Sequence, residues 1–86
     1  MQDVKKKLVC SAIGKTVKRL RGDKSQYLLG AEYDIPQSIL SDLEKGKKDP
    51  QLTTLIKIAE SFGLRISEFM EEFEKELPKD FKFTDD

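Results

Sequence analysis

The chain has 86 residues, carries 16 Lys+Arg against 16 Asp+Glu, and contains no His, no Trp and one Cys. That length predicts one domain with a thin core. Without histidine, and with a lone thiol at Cys10, zinc fingers, Ser-His-Asp and Cys-His catalysis and a disulfide framework fail on partner count, so no metal, cofactor or catalytic residue is expected. The charge is zero in sum but divided: residues 1–50 hold 11 basic and 7 acidic side chains, and residues 51–86 hold 5 and 9, a split that suits one face turned toward a polyanion.

Apolar spacing reads as helix nearly throughout. Val9, Ile13, Val17 and Leu20 recur at steps of four, four and three, the stripe of a first helix that ends at Arg21 with Gly22 as its stop. Cys10 lies near that stripe as a small buried hydrophobe. Ser25 offers an oxygen to the free amides of a second, short helix, whose buried side is read as Leu28, Leu29 and Tyr33, with Tyr27 also packed around it. Asp34 interrupts it. Pro36 opens a third helix over 36–44 with Leu40 and Leu43 inward, and Gly46 closes it. The polar run Lys47-Lys48-Asp49-Pro50 is a loop.

A fourth helix follows from Leu52, Leu55, Ile56, Ala59 and Phe62, with Gly63 beyond it. Ser67 is read as the cap of a fifth helix over 67–77, where Phe69, Met70, Phe73 and Leu77 alternate with glutamates until Pro78. This gives a domain over 1–77 and a flexible tail over 78–86. No apolar run exceeds three residues, against the roughly 20 a membrane helix needs, and no apolar core follows Lys5-Lys6-Lys7 as in a signal peptide. A soluble, cytoplasmic protein with no membrane partner and a reduced Cys10 is expected.

A short helix, a tight turn and a second short helix over about 25–44 describe a helix-turn-helix. The ordered set Ser25-Gln26, Leu29-Gly30, Ile35, Leu40, Leu43-Glu44-Lys45-Gly46-Lys47, Pro50, Leu52, Thr54-Leu55, Ile58-Ala59 and Phe62-Gly63 resembles the Cro/C1-type (XRE) helix-turn-helix repressors over residues 12–70. The resemblance implies an all-α, five-helix lambda-repressor-like domain that binds double-stranded DNA and regulates transcription. Two positions depart from the family pattern: Asp34 stands where glycine is usual, and Gly30, which would let the second and third helices approach closely, where alanine is usual.

The layout of the third helix agrees with a groove reader. With 100° per residue, Gln37, Ser38, Ser41 and Asp42 lie about 60° to 200° from the inward Leu40, an outer edge that is polar throughout. The resemblance makes these four the base-contact candidates, with Gln37 suited to a bidentate bond to adenine. Phosphate contacts are assigned to Ser25 and Gln26 at the amide end of the second helix and to Lys45, Lys47 and Lys48 after the third. Arg21, at the margin of the first helix's stripe, is expected to pair with Glu44, as the family commonly does, while keeping donors for a phosphate. Arg19 falls on the opposite, solvent side.

A homodimer is expected, because two modules one helical turn apart read a palindrome. Ile66, Met70, Phe73 and Leu77 are its interface candidates; the same stripe could instead close under Phe81 and Phe83. The expected function is a repressor without a ligand-sensing domain. Two alternatives remain open: a protein-interaction module of antitoxin type, with a protein partner on the fifth helix and tail, and a restriction-modification controller.

Overall fold

The computed structural model describes residues 2–84; the expectations for Asp85 and Asp86 fall outside them. Among the described residues there are five helices and no strand: α1 (Gln2–Arg21), α2 (Gln26–Tyr33), α3 (Gln37–Glu44), α4 (Leu52–Ser61) and α5 (Ile66–Glu74). The all-α expectation therefore holds.

The core is built from one stripe of each helix. Ile13 and Val17 of α1, Leu29 of α2, Leu40 and Leu43 of α3, Ile58 and Ala59 of α4 and Phe69 and Phe73 of α5 form a single buried cluster, with Ile35 of the turn. Cys10 is buried beside it, as the spacing predicts. Thr16 is buried too, and its hydroxyl is satisfied by donating to the Ala12 carbonyl at 2.8 Å.

The ends of the helices follow from identifiable caps. The Ser25 Oγ accepts from the Leu28 N–H at 3.1 Å, so Ser25→Ala should cost about 1 kcal/mol of stability. Urea denaturation checks this, and an unchanged midpoint would contradict it. Asp34 takes the left-handed conformation, φ 56° and ψ 47°, while the Ile35 N–H reaches back to the Gly30 carbonyl at 2.9 Å. This is the six-to-one bond of a Schellman cap with aspartate in glycine's usual place. Gly30 gives its close approach to the Ile35 carbonyl, which an added Cβ would strike, rather than to α3 as a whole.

Several boundaries and faces differ from the sequence reading. Pro36 is the residue before α3, with ψ 134°, and not its first helical residue; its fixed φ still directs the chain into the helix. α5 starts at Ile66, so Ser67 is inside the first turn instead of capping it. Glu68 supplies the cap, its Oε1 accepting from the Arg65 N–H at 2.8 Å. The helix stops at Glu74, and i→i+3 turns carry the chain from there to Leu77.

On α2 only Leu29 and Gly30 are buried; Leu28, Tyr27 and Tyr33 are exposed. On α4 the inward set is Leu55, Ile58 and Ala59, with Phe62 half-buried, while Leu52 and Ile56 face out. The α4 sequence offers two overlapping stripes with the same spacing, and the neighbours of the helix select the one containing Ile58.

Arg19 is exposed on the side opposite the core stripe, as expected, but it is engaged there. Its Nε donates to Glu76 Oε2 at 2.8 Å and its Nη1 to Glu72 Oε1 at 2.8 Å, with Nη2 on the Glu72 carbonyl at 3.0 Å. What α1 alone presents as a solvent side is where α5 returns. The segment after Pro78 turns through a Phe81 N–H to Pro78 carbonyl bond and reaches Lys5, whose Nζ donates to the Thr84 carbonyl at 3.5 Å.

Candidate nucleic-acid interface

α2, the turn at Asp34 and α3 form the two-helix unit that the sequence anticipates. α3 rests on α1 and approaches it closely at Gly14, where an added Cβ would collide with the Leu43 carbonyl oxygen. Only a residue without a side chain lets the end of α3 lie this near the α1 backbone.

Glu44 fixes the orientation of that end. Its carboxylate accepts from Arg21 through Nε at 2.7 Å and Nη2 at 2.8 Å, a bidentate pair. Gln26 Nε2 adds a third bond at 3.0 Å. The Glu44 side chain is only 6% exposed. Burial alone would raise its pKa, but the hydrogen bonds from Arg21 and Gln26 outweigh it and hold the carboxyl below its ordinary range.

Arg21 Nη1 also donates to the Lys24 carbonyl at 2.6 Å, so three of the five guanidinium N–H groups are engaged inside the protein. Arg21 and Gln26 thus act first on the scaffold, and what they can offer a phosphate is their remaining donors. Ser25 is exposed, with its oxygen spent on the cap.

Along the outer edge of α3, Gln37 and Ser38 are exposed and Ser41 and Asp42 are half-buried. Among the described residues, none of these four side chains makes a hydrogen bond or ion pair. Lys45, Lys47 and Lys48 are likewise exposed and unpaired there. The interface candidates split: Phe73 belongs to the chain's own core at 8% exposure, a correction to its place on an outer stripe, whereas Ile66, Met70 and Leu77 are half-buried around that core.

Two residues of the region escaped the sequence reading. Lys57 of α4 donates to the Asp34 carbonyl at 3.4 Å, and together with Thr54 it lines a small groove beside Asp34, Ile35, Pro36 and Ile39. Their spacing, i and i+3 on the side of α4 away from Leu52, was visible. That this side faces the turn was not.

Comparison with known proteins decides the family. Residues 17–69 match the family described as Helix-turn-helix. The chain belongs to that family. It is 35% identical over 66 residues to "Control protein C.MunI" of a Mycoplasma species, an alignment covering 73% of this chain and 89% of that protein. No solved structure matches the chain. Membership bears out the Cro/C1-type resemblance, and this helix-turn-helix chain is a DNA-binding regulator of transcription whose partner is double-stranded DNA. Among the described residues, no helix is long and apolar enough to cross a membrane.

Proposed function

We propose that the chain is a homodimeric repressor, acting without catalysis in the cytoplasm, that reads a palindromic operator in the major groove through Gln37, Ser38, Ser41 and Asp42. The observation that carries this reading is the unengaged polar edge of α3, held rigid from behind by the Arg21–Glu44–Gln26 bonds. A reader must spend its donors and acceptors on base edges, and here none is spent on the protein. Asp42 can accept from a cytosine amino group but is repelled by phosphates and by acceptor-only base edges, which adds selectivity by exclusion. Ser25, Gln26, Lys45, Lys47 and Lys48 take phosphates on either side, and Arg21 adds its two remaining donors.

Dimerisation follows from economy of recognition, since one module of this size touches only a few base pairs. The exposed parts of Ile66, Met70 and Leu77 supply the contact, with Phe73 supporting them from inside. Likeness to a protein named as a control protein favours one form of the reading, a restriction-modification controller.

Selection of bound fragments from random duplex DNA, with a mass measurement of the free protein, tests the whole. A palindromic consensus and a dimer mass are expected; a monomer bound to a single half-site would contradict the dimer. Gln37→Ala should weaken operator binding by about 1 to 3 kcal/mol and leave binding to random DNA nearly unchanged. Equal losses on both duplexes would remove Gln37 from base reading.

A further inference from the structure

The lysines that follow α3 lie against a second basic element. Gly46 takes φ +74°, and its backbone packs on α1 so closely that an added Cβ would sit 3.3 Å from the Ser11 Cα. Lys45 and Lys47 flank this contact. Lys7 precedes Ser11 by four residues and so shares its face of α1.

The outcome is an open cleft of about 680 Å³ with Lys6 and Lys7 contributed by α1 and Lys45 and Lys47 by the loop, together with the carboxylates of Asp3 and Asp49. Four ammonium groups against two carboxylates leave it at +2. Lys6 meets Asp49 only at 3.8 Å, with both side chains more than half exposed, a pair that water and salt weaken. Among the described residues Lys7, Lys45 and Lys47 have no ion pair. Cys10 also lines the cleft, and burial, the largest influence on its thiol, keeps it protonated and neutral. The α1 wall lies outside residues 17–69, the part shared with the family.

We propose that this cleft seats a backbone phosphate of the duplex, with Lys6 and Lys7 of α1 joining Lys45 and Lys47 around it, so that the first turns of α1 lengthen the DNA footprint. Its chemistry is that of a phosphodiester: a single diffuse negative charge met by several flexible ammonium donors, with no base edge read. The inference rests on the reading of the chain as an operator-binding protein. α1 is about 30 Å long, and its N-terminal half places Lys6 and Lys7 beside the end of α3, on the N-terminal side of the contact between Gly46 and Ser11.

The test titrates the intact protein and a Lys6→Ala/Lys7→Ala variant against the selected operator, as a core duplex and as one extended on both sides, over a salt series. Both lysines are exposed, so the variant should melt like the parent. The variant is expected to flatten the salt dependence by about 0.9 in log–log slope for each phosphate it no longer neutralises, which is about a 3.5-fold smaller drop in affinity per phosphate over a fourfold rise in salt. It should also bind the longer duplex without the preference that the parent shows for it. Gln37→Ala, run alongside, reports on α3 separately. If that substitution stays selective for the operator while the lysine variant keeps the parental slope and length preference, the cleft is overturned and the reading of α3 stands. If Gln37→Ala loses equally on all duplexes while the lysine variant still flattens the slope, the cleft stands and the assignment of base reading falls.

Discussion

Arg21→Ala should destabilise the protein by about 3 kcal/mol, the cost of stranding a buried carboxylate, and lower Tm by roughly 12 °C or more for a domain of this size. Glu44 would keep only the Gln26 bond of its three from side chains, at a side-chain exposure of 6%. The loss should depend on pH, and its sign follows from the carboxyl's two environments. In the parent, the folded-state pKa of Glu44 lies below its unfolded value, so its contribution is fully present above the ordinary carboxylate range and vanishes as pH falls through the depressed value. Without Arg21, burial dominates and the folded-state pKa rises above the unfolded one. The variant's deficit should therefore be largest near neutrality and shrink as pH falls through the carboxylate range. Urea denaturation of both proteins between neutrality and mild acid measures this; a deficit independent of pH would show that Glu44 is not the group left stranded.

Gly14→Ala is the second large effect. In most helices the change gains about 1 kcal/mol, because alanine is the better helix former. At this position the new methyl collides with the Leu43 carbonyl and crowds that of Glu44, and neither is the movable end of a flexible side chain. α1 and α3 must separate, an overpacking cost of about 3 kcal/mol at the upper end of the usual range, leaving a net loss of about 2 kcal/mol. Operator affinity should fall as well, since separation tilts the reading edge and lengthens the bonds of Glu44 to Arg21. A variant as stable as the parent would mean that the helices tolerate the methyl without moving apart.

Both effects lie on the surface where α1 supports α3, and that surface was only partly legible in the sequence. Periodicity put Arg21 at the margin of its helix's apolar stripe, and family resemblance supplied the idea of joining it to Glu44. The role of Gln26 as a third partner was not visible, because a residue at a helix N-terminus reads equally well as a phosphate seat. Gly14 carried no signal at all: a glycine inside a helical pattern says nothing about which carbonyl approaches it. Arg19 shows the same limit, since the wheel of α1 correctly put it opposite the core stripe but could not show that α5 brings Glu72 and Glu76 to that side.

By itself the sequence determined the number and order of helices, the break between the second and third of them at Asp34, most of the core and the polar outer edge of α3. These depend on local rules: the period of apolar residues, the free amides at helix starts and the φ values a residue tolerates. The tertiary structure alone decided which of two stripes α4 buries, that Phe73 turns inward, which carboxylates hold Arg19, and that Gly46 sets the basic loop against Lys6 and Lys7 of α1. Each of those depends on how helices far apart in the chain cross one another, and a crossing is fixed by the simultaneous fit of both surfaces, which neither helix's own residues encode.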